Sequence, residues 1–361
     1  MTSPPHDPKN LNRPEPTSDS LTYSLARYAV VKPALSFPLD APALWDSWRA
    51  DARKRLTGLI GLPQELSQPR PAIQVTYEPA IVRKGYVRQL VRFATRPGLE
   101  AVGWLLMPEK SSGPKPAMIC LPGHGRGIDE IVGLDEKGRD DEAAQTYQHN
   151  FALQCVRQGY VTLALEMVGF GRRRDAAARK RGAGASSCMP AAGAALMLGE
   201  SMVGWRVWDV VRAVDFLSSL SDVDSSRIGL MGISGGGTVS LYAAALDERV
   251  ACAMLSCSYC TFRDSIFSVM HCIDNYVPGI LRWFEAADLA AMIAPRLVFC
   301  ESGSEDDIFP EPGVRQAFED ARRIYAAMRA EDRLALHMFD AGHVFDGRQA
   351  FPWIAERLNG S

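Results

Sequence analysis

The chain has 361 residues, 47% of them apolar and 23% charged, a composition that supports a globular core and excludes disorder along its whole length. Forty Lys and Arg against 42 Asp and Glu leave a formal net charge of −2, so the basic excess that a dedicated nucleic-acid binder uses to displace counterions is missing. No stretch approaches the roughly 18 apolar residues of a membrane span, and the polar N-terminus lacks the apolar run of a secretory signal, which together predict a cytoplasmic protein with neither nucleic-acid nor membrane partners.

Residues 1–20, with five prolines among polar residues, predict a disordered tail. Residues 21–72 read as an N-terminal helical arm. Within it Leu44, Trp45, Trp48, Ala52, Leu56 and Leu59 recur at helical spacing between Pro42 and Gly61. That apolar face would pack on the main body or on a second subunit, so the arm is a candidate homo-oligomer contact. The main domain spans 73–361. Its opening runs, 73–77, 86–94 and 102–107, are rich in β-branched and aromatic residues and predict antiparallel strands.

After Pro116 short apolar strands alternate with helical patterns. The strands are 117–121, 160–165, 228–231, 250–256, 297–300 and 334–339; the helices are 143–158, 202–220, 236–245, 313–329 and 350–358. Such alternation builds an α/β fold, a mostly parallel central sheet with helices on both faces. Two stretches stand outside it as inserts: the Arg-, Ala- and Gly-rich residues 172–200, and residues 257–292. Inserts between strand ends commonly shape a pocket.

Eight cysteines are present. Cys120, Cys252 and Cys300 lie in apolar strand-like runs as small hydrophobes. Cys257 and Cys260 form a CxxC with no second pair or close histidines to complete a zinc set, so neither metal nor disulfide is expected and the thiols read as reduced.

Gly232-Ile233-Ser234-Gly235-Gly236 follows a predicted strand and opens a predicted helix. That is the setting of a nucleophile elbow, whose tight turn demands small neighbours around the serine. It puts Ser234 at a helix N-terminus, where N–H groups favour negative charge. A serine needs a base. Of six histidines, His343 sits in a loop just past the last strand, where catalytic groups gather in open α/β sheets. The base needs a carboxylate to orient it. Glu305, Asp306 and Asp307 follow the penultimate strand; Asp306 has the better spacing, with Asp307 in reserve. The chain order is then Ser, Asp, His. For the oxyanion, the N–H of Gly235 is one expected donor. The other is placed in the loop 122–127, with Arg126 first and Gly125 second, and His124 as a brace. Glu166 either orients that loop or lines the pocket as a substrate contact, unless it is an ordinary loop acid. The basic cluster Arg172, Arg173, Arg174, Arg179, Lys180 and Arg181 reads as a solvated face or a greeting for an anionic substrate.

Four motifs, PGHGRG (122–127), GISGGG (232–237), GSEDDIFP (303–310) and DAGHVF (340–345), resemble those of the α/β-hydrolase superfamily across residues 73–358. Within it the chain is similar to dienelactone-hydrolase-like and acetyl-xylan-esterase-like serine hydrolases. LEMVGFGR (165–172) and WDVVRA (208–213) resemble further segments of those enzymes. The resemblance implies hydrolysis of small-molecule carboxylic esters through an acyl-enzyme, with no cofactor. Gly235 stands where acetyl-xylan esterases typically carry glutamine and glucuronoyl esterases arginine, and Ser234 replaces the cysteine of dienelactone hydrolase itself. Two other functions use the same residues: a peptidase of the prolyl-oligopeptidase type, for whose propeller the N-terminal residues are too few, and a non-catalytic binding module, which would not need four catalytic stations.

Overall fold

The computed structural model describes residues 17–62, 70–109, 113–143 and 146–359. Ten strands run in chain order: β1 (Val75–Tyr77), β2 (Ile81–Arg83), β3 (Tyr86–Arg96), β4 (Leu99–Pro108), β5 (Lys115–Leu121), β6 (Val161–Leu165), β7 (Val223–Ile233), β8 (Val250–Ser256), β9 (Leu297–Gly303) and β10 (Leu334–Phe339). They form one sheet of order β1-β3-β4-β6-β5-β7-β8-β9-β10, with β2 paired to β3. Pairing is antiparallel from β1 to the β4–β6 junction and parallel from β6 onward. This is the mostly parallel sheet with an antiparallel opening that the sequence predicts.

The helices are α1 (Ser20–Val30), α2 (Trp45–Leu59), α3 (Ile128–Ile131), α4 (Phe151–Arg157), α5 (Ala176–Lys180), α6 (Cys188–Met197), α7 (Met202–Ser218), α8 (Gly235–Leu246), α9 (Ala286–Ile293), α10 (Glu311–Ala327) and α11 (Ala350–Asn359). Strand residues alternate between two core layers. In β5, Ile119 and Leu121 point to the layer with α7 and α8, while Met118 and Cys120 point to the layer with α4 and α11. That period of two, buried on both faces, is why the central strands read as continuous apolar runs.

From β5 the chain crosses to β6 on one side and later to β7 on the other. Strand order therefore reverses beside β5, and the crevice at the carboxyl ends of β5 and β7 is where open α/β sheets place their sites.

The N-terminal region differs from expectation. Residues 1–16 of the expected tail lie outside the described residues, but α1 starts at Ser20, with Asp19 accepting from the Thr22 N–H as a helix cap. The arm is packed on its own domain. Trp48, Ala52 and Leu56 are buried in the main core. The indole N–H of Trp45 donates to the Ala291 carbonyl (3.0 Å) and Nε of Arg49 donates to that of Met292 (2.9 Å). Most of the face offered to a second subunit is thus already covered, with Leu44 left exposed. The helix predicted over 143–158 is also shorter: His149 and Asn150 adopt left-handed backbone, and α4 starts only at Phe151.

Leu56 is fully buried, so Leu56→Ala is expected to cost about 2–5 kcal/mol. Urea denaturation should show the lower midpoint, and sedimentation of the variant should be unchanged. A variant of unaltered stability but altered association would mean that the helix faces a partner.

Candidate active site

Ser234 occupies the sharp turn between β7 and α8 with φ +55° and ψ −125°, a conformation that costs strain outside glycine. The fold fixes it from both sides: the Ser234 N–H donates to the Ser256 carbonyl (3.0 Å), and the Thr238 N–H donates to the Ser234 carbonyl (2.9 Å). A Cβ on Gly236 would lie 2.0 Å from the Leu121 carbonyl oxygen, so only glycine lets the elbow rest on the end of β5. The N–H of Gly235 is among the first of α8, which helix geometry leaves without an intrahelical acceptor.

His343 follows β10 and meets Asp306, which follows β9. Nδ1 of His343 lies 2.7 Å from Oδ2 of Asp306, whose side chain is fully buried. A carboxylate only accepts, so Nδ1 carries the proton and Nε2 is left as the basic nitrogen. The other Asp306 oxygen accepts from the N–H groups of Ile308 (2.9 Å) and Phe309 (3.1 Å). The imidazole is stacked between Phe309 (centroids 5.9 Å apart) and Tyr147 (5.7 Å). Glu305 and Asp307 are exposed. Among the three neighbouring acids, Asp306 is the one brought to the histidine.

Ser234 and His343 line one open cavity of about 350 Å³. Its wall also holds His124, Tyr147, Met270, His271, Cys272, Asn275 and Ile308. The sequence reading missed Tyr147, His271 and Asn275 as site residues. Tyr147 and His271 lie on irregular segments and Asn275 ends a one-turn 3-10 helix, none of them in a motif, and tertiary packing carries them to the strand ends.

The loop after β5 requires a correction. The N–H of Arg126 donates to Oε2 of Glu130 (2.9 Å), and its guanidinium donates to the Leu134 carbonyl (2.7 Å). Arg126 lines a different cavity and is not brought to Ser234. Gly125 faces Glu130: a Cβ there would lie 2.6 Å from its Oε2. His124 is the residue beside the elbow, its ring 3.8 Å from where a Cβ of Gly235 would stand. Its carbonyl accepts from the Tyr147 hydroxyl (2.6 Å), and the N–H of the preceding Gly123 is taken by Gln148 (2.7 Å). The usable signal in the sequence was proximity, since His124 is only three residues past the strand.

Glu166 is likewise not a pocket residue. It is fully buried and accepts from the N–H groups of Ile128 (3.3 Å) and Arg172 (2.9 Å), joining the loops that follow β5 and β6. A Cβ on Gly127 or Gly171 would collide with its carboxyl, at 2.2 and 2.1 Å. Burial pushes Glu166 up to about 7. Glu301 plays the same part under the histidine loop, accepting from the N–H groups of Asp346 (2.9 Å) and Gly347 (3.0 Å), and burial pushes it to about 7 as well. Half of the basic cluster is consumed internally, while Arg179, Lys180 and Arg181 are exposed as a solvated face. Arg172 pairs with Asp129, Arg173 with Asp209, and Arg174 donates to the carbonyls of Gly171, Gly182 and Ala183.

Behind His124, Nε2 lies 3.4 Å from Oδ2 of Asp274, which is also bound by Nη1 of Arg206 at 2.6 Å. Burial would raise Asp274, but Arg206 and His124 hold it well below the usual carboxylate range.

Glu301 keeps its proton longer in the folded than in the unfolded chain. Stability is therefore lost as pH rises from about 4.5 through 7, on the order of 3 kcal/mol for a fully expressed shift. Relative to the wild type, Glu301→Gln is expected to gain stability over that window, whatever its constant offset. Denaturant unfolding at pH 5, 6, 7 and 8 checks this, and parallel curves would refute it.

The family model described as "Abhydrolase family" matches residues 24–340. The chain is 28% identical over 302 residues to "Putative hydrolase YtaP" of Bacillus subtilis (strain 168), covering 82% of this chain and 94% of that protein. Among solved structures it resembles a "putative acetyl xylan esterase" from Bacteroides fragilis NCTC 9343 (TM-score 0.76, 18% identity, 97% of this chain and 94% of that one). It also resembles a glucuronoyl esterase from Solibacter usitatus (TM-score 0.62, 16% identity, 90% and 98% covered). At these identities the structural likeness is one of fold.

Proposed function

The chain belongs to the Abhydrolase family, and on that premise we propose that it is a serine carboxylic-ester hydrolase acting through an acyl-enzyme on small, short-acyl esters, acetylated sugars among them. One observation carries the reading: His343, its Nδ1 committed to buried Asp306, shares with Ser234 a cavity at the strand ends. Oγ of Ser234 attacks the ester carbonyl as Nε2 of His343 takes its proton. Asp306 holds the tautomer and stabilises the imidazolium. The N–H groups of Gly235 and His124 receive the oxyanion, a contribution worth about 10²–10³-fold in rate per donor. His343 then protonates the leaving alcohol, and a water repeats the sequence to free the acid and regenerate Ser234.

Charge selects the substrate. No Lys, Arg, Asp or Glu is found among the described residues that line the cavity, which fits an uncharged ester. Its volume, about 350 Å³, is at the small end of ligand sites. None of the helices among the described residues is long and apolar enough to cross a membrane. We place the protein in the cytoplasm because its eight cysteines are all free thiols.

On p-nitrophenyl esters of increasing acyl length, acetate and butyrate are expected to turn over fastest. Ser234→Ala should lower kcat about 10⁶-fold and Asp306→Asn about 10⁴-fold, with melting curves near that of the wild type. Turnover that survives in Ser234→Ala would remove the nucleophile. Preference for peptide anilides over esters would favour the peptidase, and tight ligand binding without turnover of either would favour the binding module.

A further inference from the structure

At the wall of the ester pocket, which His124 and Cys272 line, four side chains from three separate segments, used by no step above, turn their polar atoms to one point. They are His124 from the loop after β5, Cys188 at the start of α6 in the first insert, and Cys272 and Asp274 from the second insert. The imidazole nitrogen, two sulfurs and a carboxylate oxygen all lie within 4.8 Å of one another. Two of these separations are already those of a shared ligand sphere: Nε2 of His124 is 3.4 Å from Asp274 and 3.8 Å from Sγ of Cys188. Four ligands about 2.2 Å from a central ion stand about 3.6 Å apart at tetrahedral angles. Cys188 and Asp274 are buried, and Oδ1 of Asp274 has no hydrogen-bond partner among the described residues. Buried carboxylate oxygens without a partner are uncommon in folded proteins.

We propose that His124, Cys188, Cys272 and Asp274 form a structural zinc site. Two thiolates, an imidazole and a carboxylate suit a borderline dication that prefers four-coordinate geometry. The charges agree. Two thiolates and one carboxylate leave a net charge of −1 around Zn²⁺, and Arg206 cancels it. Its guanidinium donates from Nη1 to Oδ2 of Asp274 (2.6 Å) and from Nη2 to Sγ of Cys188 (3.3 Å), as outer partners of metal ligands do. Two more of its donors, on Nη2 and Nε, go to the Val168 carbonyl, at 2.8 and 3.1 Å. All four positions belong to the protein, so the ion binds no water and clips both inserts to the loop that carries His124. The Cys257–Cys260 pair that the sequence singles out is not part of this cluster.

The test needs no ester turnover and is independent of the hydrolase reading. The full chain without a histidine tag is reduced, stripped with a chelator, and titrated anaerobically with Co²⁺. The expected result is uptake of one equivalent, with strong tetrahedral visible bands and a near-ultraviolet thiolate-to-cobalt band. Stoichiometric Zn²⁺ then bleaches both, and Zn²⁺ raises the melting temperature of the stripped protein. Cys272 is only half-buried, so Cys272→Ser is expected to fold and to lose about half of the thiolate band while binding more weakly. Cys257→Ser should leave the spectrum unchanged. Absence of the thiolate band, its persistence at full strength in Cys272→Ser, or its loss in Cys257→Ser would each overturn the proposal, as would a Cys188–Cys272 disulfide in protein purified without reductant.

Discussion

The arrangement at the strand ends depends on one buried contact, the 2.7 Å bond between His343 Nδ1 and Asp306 Oδ2. A carboxylate removed from water is costly unless its oxygens are occupied. Here one oxygen takes the imidazole and the other takes two backbone N–H groups of its own loop. The ring is held further by Phe309 and Tyr147, each of which stacks on it. Phe309 belongs to the same turn that Asp306 caps, so one short segment supplies both the acid and a wall for the base. The strained serine can then rest on rigid strand ends, and the geometry required of the histidine comes from packing rather than from ligand contacts.

The same device recurs beneath the other loops. Glu130 accepts from Arg126, Glu166 from Ile128 and Arg172, Glu301 from Asp346 and Gly347, and Asp288 from Phe37 and Glu285. Irregular backbone over a sheet cannot satisfy its own N–H groups, and an ionised carboxylate offers about four acceptor sites in a small volume. Desolvation opposes this use: Glu166, Glu301 and Asp288 are all pushed up to about 7 by burial. These loops are therefore shaped from below by acids. Glu130 claims the Arg126 amide, which removes it as the second donor and leaves that part, in the proposed mechanism, to His124.

Much of this was legible in the sequence because it is local. Strand–helix alternation gave the parallel sheet, the glycines around Ser234 gave the elbow, and spacing picked Asp306 from three adjacent acids. What could not be read was set by distant partners. The helix predicted over 143–158 loses its first turns because His149 and Asn150 take left-handed backbone. Strand β2 is three residues long and exists through its pairing with β3, too short for a period to show. The acids Glu130, Glu166 and Glu301 look like solvated loop residues until their N–H partners, some of them 38 to 46 positions away, are known. Arg172, Arg173 and Arg174 looked like part of a charged surface for the same reason, and only Arg179, Lys180 and Arg181 of that cluster are exposed.

Those arginines bear on what the pocket can accept. Each insert arginine near the site is already matched to an acid of the domain: Arg172 to Asp129, and Arg173 to Asp209. Arg206 of α7 is matched to Asp274 in the same way. Formal charge is thus neutralised behind the cavity wall, and the wall itself presents imidazole, phenol, thiol, amide and aliphatic groups. Burial and the neighbouring His343 both lower His271, which favours its neutral form beside the base. A second imidazolium there would oppose protonation of His343, the step on which attack by Ser234 depends. Among the described residues the cavity wall therefore carries no Lys, Arg, Asp or Glu, and through His124 and Cys272 it adjoins the cluster proposed to hold zinc.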